Sequence, residues 1–583
     1  FIHGAKFLKD GGRMGMIVSN SWLDVDYGGD LQRFFLDHFK ILAIIGADKR
    51  VFRDADVNTV VVILEKTDGK KHKKERDLNL VKFVRLKTYM EIDEILKHIK
   101  RHKLYFSDEK IRVFPKRQMN LWKEGYDKEK HRYVSSKWGK YIRAPEIFFN
   151  IETEAKRNLV QLEQVAHVGT YLNTGGANDF FFVKNVTGSL SEDTLLEEFQ
   201  INRRKIAEMN LQVIETSIKE GKKRKVYKFL IESEFLIPLV KSSQDVKRIC
   251  ISKDDLKLSL IRIDVRKGCL SQRIRRYIDW GEEKHFNMRS GRKGKKPWYA
   301  LPAQAYEATP ILFGRNHGER HIVAYNSEQS ISDRFYRITP KSCDPRVLVM
   351  LLNSTIGALY KEVYGRVNLG LGALDTGSFD IRHMKVLNPQ VIINRDKEKL
   401  LSIHAKLSYR KMGSVFDEIG AERPEDVSLD KIKPDRKELD YLIFDILELS
   451  EEERLGVYSA VIDLVRRRLT KPEEIGVLVG TEIEGEKPWP LDSKELEELV
   501  TLLQLSKVGR LTEEQESTLG RRAGKVVRDL AYEIIRLGHE PMSVNEVAQK
   551  ILNIGDDILN LAGYYEVISE VMGRKTTPKQ VIR

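Results

Sequence analysis

The chain has 583 residues, with 101 Lys and Arg against 86 Asp and Glu and a formal net charge of +15. That length admits about two to four domains, and the positive balance favours an anionic partner, nucleic acid first. Cys250, Cys269 and Cys343 stand far apart with no zinc-type spacing, which argues against a metal or disulfide framework and fits a reducing cytoplasm, and no apolar run approaches the roughly 20 residues of a membrane span.

Residues 1–8 read as the end of a helix closed by Gly11-Gly12. Residues 14–19 are a short apolar run, fit for a strand buried on both faces. Leu31, Phe34, Phe35 and Phe39 recur at helical spacing after the breaker Gly28-Gly29, and residues 41–45 and 59–64 are β-branched strand runs. Strand, helix and strand in so few residues imply a parallel pair in an α/β sheet. The next strand follows too soon for a helical crossover and is expected to return antiparallel. Residues 67–77 form a polar basic connector, either a solvated loop or a phosphate contact. A strand over 78–86 and an amphipathic helix over 91–101 are expected to close this domain near residue 105.

Residues 106–392 alternate short β-type runs with turns, at 162–168, 180–183, 229–236, 261–263, 311–313 and 334–338, which predicts a mixed α+β domain. Trp122, Trp138 and Trp298 are expected to anchor its core. From Glu398 onward the chain is helical and charged. Ser450 to Glu453 read as a capping box before Leu455, Tyr458, Val461, Ile462 and Val465, and Thr512 with Gln515 marks a second helix start. Residues 433–470 read as an antiparallel helical hairpin.

Taken in order, Gly11-Gly12, Asn20-Ser21-Trp22, Tyr27-Gly28, Val51-Phe52, Asp54-Ala55, Val57 and Thr59 resemble the second half of the catalytic domain of N6-adenine DNA methyltransferases, the type found in restriction–modification and phage-defence systems. Three further phrases resemble that family's target-recognition domain. They are the run from Gly169 through Thr174 and Asn178 to Phe181, the run from Trp280 through Arg292 to Tyr299, and the run from Leu352-Asn353-Ser354 through Gly372 to Asn388-Pro389. The family's catalytic tetrapeptide, Asn/Asp-Pro-Pro-Tyr/Phe, and its glycine-rich S-adenosylmethionine loop are not in this sequence. The expectation is therefore the C-terminal portion of a larger enzyme. It comprises half of a Rossmann-like methyltransferase sheet (1–105), an α+β target-recognition domain (106–392) and an α-helical region (393–583). The cofactor half would lie upstream or on another polypeptide. A non-catalytic DNA-binding specificity or scaffold subunit is the rival.

The resemblance implies methyl transfer to an adenine taken out of the duplex, with S-adenosylmethionine as cofactor and double-stranded DNA as partner. It places Phe52 on the flipped base, although spacing alone reads Phe52 as a core residue at a strand end. Asn20, Ser21 and Trp22 follow a strand at its carboxyl end, where ligands bind in open α/β sheets, so they either line the pocket or form a plain turn. Asp54, Asp56 and Thr59 are read as satisfying turn backbone groups. Residues 266–296 hold eleven Lys and Arg against three Asp and Glu, interleaved with Tyr277, Trp280 and Phe286. Arg273, Arg275, Arg276, Arg289, Arg292, Lys293, Lys295 and Lys296 are the DNA-contact candidates there. Thr174, Asn178, Arg315 and Arg366 sit in motif turns and either reach DNA or cap the turn. No nuclease arrangement, Walker loop or metal set is found.

Overall fold

The computed structural model describes residues 1–25, 27–48, 59–67, 72–127, 130–154, 156–369 and 372–469, a mixed α/β arrangement followed by helices. Its first sheet has six strands: β1 (Arg13–Ser19), β2 (Phe39–Ala47), β3 (Thr59–Lys66), β4 (Leu80–Leu86), β5 (Phe106–Ser107) and β6 (Ile111–Arg117), in the order β1-β3-β2-β4-β6-β5. β3 lies between β1 and β2 and runs antiparallel to both, while β2 and β4 are parallel. The antiparallel return is as the short connection requires. β1 and β2 share a direction but are not neighbours, because β3 is inserted between them.

Alternation makes the core. Val60, Val62 and Leu64 of β3 and Ile41 and Ile44 of β2 pack with Phe35 and Leu36 from the helix Gly28–His38. β1 departs from its expected burial. None of its residues is buried, and Ile17 is 50% exposed, because β1 forms an edge of the described sheet. Residue 105, expected to end this domain, falls inside it. β5 and β6 extend the sheet, and Leu121, Tyr133, Trp138, Tyr141 and Ile142 complete the same core. The basic connector is partly helical, Lys73–Leu78.

A second six-stranded sheet joins Lys223–Glu232, Leu211–Glu220, Phe182–Asn185, Leu258–Ile261, Leu236–Val240 and Ile331–Ser332. Its core gathers Phe180, Phe181, Tyr277, Trp280, Phe286 and Trp298. Of the three expected tryptophan anchors only Trp298 belongs here. Trp138 serves the first core, and Trp122 lies 36% exposed, stacked on Tyr126. Two expected strands begin as helical turns, Leu162–Val165 and Asn178–Phe181, before extending as Ala166–Gly169 and Phe182–Asn185. Short apolar runs fit either state, and tertiary packing chose here.

The largest core unites the helices Pro345–Asn353, Thr355–Tyr364, Pro389–Leu407, Pro434–Ile446 and Glu451–Leu469 with Phe148, Ile311, Phe313 and Ile338. The described part of the helical region thus shares one core with residues before 392. The Ser450 capping box is present: the Glu453 N–H donates to Ser450 Oγ at 3.3 Å, and the Ser450 N–H donates to Glu453 Oε2 at 2.9 Å. Asn388-Pro389 is a helix start, with Asn388 Oδ1 accepting from the Gln390 N–H at 3.1 Å and proline at the first turn. Asn353 bonds both backbone groups of Val323, at 2.9 and 2.7 Å, and fastens its helix to the strand Val323–Tyr325. The helix start expected at Thr512 and Gln515 lies outside the described residues.

Candidate nucleic-acid interface

Two of the motif segments meet. The Gly291 N–H donates to the Gly175 carbonyl at 3.3 Å, and a Cβ built on Gly175 would come within 2.7 Å of the Gly291 carbonyl carbon. Gly175 also has φ +67°. Only glycine on both sides permits this backbone contact. Beside it, Thr174 is buried and donates to Asn178 Oδ1, while the Asn178 residue is exposed. Thr174 therefore holds the turn, and Asn178 is available at the surface.

The basic segment divides into residues that build the loop and residues that face out. Arg292 is buried and donates to the carbonyls of Trp298 and Ala300, at 3.3 and 2.7 Å, with its guanidinium 5.8 Å from the Phe181 ring centre. Burial lowers its pKa from the usual arginine value. It shapes the loop and is not accessible to a duplex in this structure. Lys293, Lys295 and Lys296 are exposed and form no ion pair among the described residues. Arg289 is exposed, with its guanidinium 5.6 Å from the Phe286 ring centre. Arg275 and Arg276 are exposed on the helix Gln272–Glu283. Arg275 bonds the Leu270 and Gly268 carbonyls, and Arg273 is half-buried against Glu232 at 3.5 Å.

Arg315 and Arg366 form a second group, flanking Asp375 in a small three-stranded sheet. Arg315 pairs with Asp375 at 2.9 Å and donates to the Tyr171 hydroxyl at 3.1 Å; the Asp375 bond holds it more firmly charged. Arg366 pairs with Asp380 at 3.3 Å. Lys137 also meets Asp380, at 2.5 Å, and donates to the Asp24 carbonyl at 2.5 Å, while Asp24 pairs with Arg143 at 3.0 Å. This buried chain of charges links Arg366 to the turn Asn20–Leu23 of the first sheet. In that turn Trp22 is a core residue, edge-on to Phe35 and Trp138. Asn20 and Ser21 stay half-exposed, and Ser21 Oγ lies 2.9 Å from Ser19 Oγ. Phe52 lies outside the described residues, as do Val51, Asp54, Ala55, Asp56 and Val57.

The sequence reading missed the hairpin of Leu211–Glu220 and Lys223–Glu232, although the run Gly221-Lys222-Lys223-Arg224-Lys225 signals it. Its Arg224 pairs with Asp179 at 3.0 Å, and its Glu220 pairs with Lys284 at 3.0 Å. The hairpin end therefore adjoins both the Thr174 turn and the helix that leads into the basic loop. Among the described residues no cluster of His, Cys, Asp and Glu is arranged to hold a metal, and no helix is long and apolar enough to cross a membrane.

These features belong to the recognition part of a DNA-modifying protein. Residues 221–421 match the family described as the C-terminal domain of the type II methyltransferase M.Eco57I. The match supports the C-terminal part of a restriction–modification methyltransferase, in agreement with the motif resemblance. The type IIG restriction endonuclease BpuSI is a similar solved structure at 10% identity and TM-score 0.38, covering 80% of this chain and 48% of that one. That TM-score is too low to define a shared fold, and this chain spans about half of that chain's length. No curated protein matches the sequence.

Proposed function

We propose that the chain is the target-recognition and C-terminal catalytic-sheet portion of an adenine-N6 DNA methyltransferase of a restriction–modification system. The observation that carries this reading is the joining of the Thr174 turn to the Lys293–Lys296 loop through Gly175 and Gly291, within the segment that matches the family. Exposed lysines on a glycine-fastened loop suit contact with phosphates, which positions the protein on a duplex. In this reading β1 to β3 are the far side of a Rossmann-like methyltransferase sheet. The open edge and half-exposed apolar side chains of β1 suit pairing with further strands, from upstream or from another polypeptide.

The half-sheet that joins β1 would bring S-adenosylmethionine, which supplies the methyl group. This chain's part is to grip DNA and to line the base pocket with Asn20, Ser21 and Phe52. Catalysis of this kind works by positioning the extruded base and needs no covalent bond to the enzyme. The test is methyl transfer to duplex DNA by a preparation holding this chain and the cofactor-carrying half. N6-methyladenine in the digested product supports the reading. Methylcytosine, or no transfer although DNA is bound, overturns it in favour of a specificity or scaffold subunit.

A further inference from the structure

We infer that the end of the hairpin Leu211–Glu220/Lys223–Glu232 enters the major groove of duplex DNA as a two-stranded ribbon; this rests on the DNA-binding reading above. The hairpin holds ten consecutive antiparallel pairs without a bulge, from Leu211↔Glu232 to Glu220↔Lys223. Gly221 and Lys222 make the turn, with Gly221 at φ +63°. A two-residue connection with a left-handed glycine keeps the strands in tight register up to the tip.

The base of the hairpin is clamped from both sides. Ile214, Ile218 and Ile231 enter the second core with Tyr227 and Phe229, which lie against Trp280 at 5.3 and 5.1 Å between ring centres. Leu211 and Val213 enter a separate core with Leu195, Ile201 and Ile206 on the opposite face. Beyond these, the outer part has no cover on its second face, where Val226 is 52% exposed. Lys223–Glu232 is also an edge strand of its sheet.

The charge is concentrated where cover ends. Residues 219–225 hold five basic side chains and one acidic, Glu220, which is already taken by Lys284 and the Tyr227 hydroxyl. Strand alternation puts Lys219 and Arg224 on one face and Lys223 and Lys225 on the other, with Lys222 at the turn. Arg224 is tied to Asp179, whereas Lys219, Lys222 and Lys223 form no ion pair among the described residues. Cations on both faces and the tip match a ribbon flanked by two phosphate backbones. The major groove, roughly 12 Å wide, admits a two-stranded β-ribbon. The Glu220–Lys284 and Arg224–Asp179 pairs fix the ribbon beside the basic loop, so one duplex can touch both.

The experiment compares the full chain with its K222A/K223A/K225A variant on a mixed-sequence duplex, by anisotropy across a KCl series and by dimethyl sulfate probing of guanine N7. These side chains are exposed or face solvent at the tip, and an unchanged melting transition confirms folding; a K222Q/K223Q/K225Q variant repeats the test with side-chain bulk retained. The expected result is an affinity loss of tenfold or more and a log–log salt slope shallower by about 2, at about 0.9 per phosphate contact. N7 protection seen with the parent should disappear. A parent that binds DNA while the variants keep its affinity, slope and protection overturns the ribbon but leaves the DNA reading standing. A parent that binds no duplex overturns both.

Discussion

Two regions of this molecule use charge in opposite ways. Inside the largest core, Arg468 is completely enclosed and saturated. It bonds Glu362 at 3.1, 3.0 and 2.9 Å and donates to the carbonyls of Gly372 and Gly318, both at 2.6 Å. His321 closes the same carboxylate at 2.7 Å. At the surface, Lys222, Lys223, Lys293, Lys295 and Lys296 have no ionic partner among the described residues. Buried charge is costly unless fully paired, so the first group fixes how helices Thr355–Tyr364 and Glu451–Leu469 pack. Exposed, unpaired lysine contributes little to folding and is free for an anion. The net charge of +15 therefore says less about DNA binding than the location of the unpaired cations does.

The contrast can be broken from its buried side first. Arg468→Ala leaves Glu362 charged and unpaired, and is expected to cost about 3–5 kcal/mol in denaturant unfolding. A loss below about 1 kcal/mol would show that the cluster is not fully desolvated. On the exposed side, K293A/K295A/K296A is expected to leave stability within about 0.5 kcal/mol. It should weaken duplex binding about tenfold or more while flattening the salt slope by up to about 2.7. Unchanged binding would assign these lysines to solvent alone.

Lys361 sharpens the comparison, because it is a buried cation without a hydrogen-bond partner, 5.6 Å from the Phe313 ring centre. Burial, helped by repulsion from Arg436, lowers its pKa to about 7. The unfolded chain then binds the extra proton between about 7 and the ordinary value of 10.5, so stability rises with pH across that window. Lys361→Met should remove this slope and stabilise the protein at pH 7 by on the order of 1 kcal/mol, read by melts at pH 7 and 9. A retained slope would assign it to another group.

The same linkage predicts acid lability. Burial lowers His321 to about 4 against the hydrogen bond from Glu362. Burial alone would raise Glu362, but the His321 bond and the Arg468 guanidinium outweigh it and hold the carboxyl at about 2. Both groups bind fewer protons folded than unfolded, so stability should fall as pH drops from 6.5 through 4 and on towards 2. His321→Gln should remove the upper part of that fall.

Much of the first sheet was readable because strand and helix periods differ and the runs are short and clean. The helix Gly28–His38, the strands β2 and β3 and the antiparallel return follow from Phe35, Ile41 and Val62 alone. Burial of β1 was not readable, since neighbours in a sheet are set by topology and not by the strand's own residues. In the recognition segment, glycine and basic spacing marked the Gly175 and Lys293 loops, but not which cation is interior. Arg292 and Lys293 are adjacent in sequence, yet one bonds three carbonyls and the other faces water. The basic hairpin passed as a plain charge run because its significance depends on which strand residues lose their cover.

The most direct measurement is equilibrium binding of the full chain to a mixed-sequence duplex from low to high KCl. Affinity that falls linearly on a log–log plot, with a slope of several units, is what unpaired lysines on a ribbon and an adjoining loop predict. Absent binding, or binding indifferent to salt, would contradict a nucleic-acid interface on this face of the molecule.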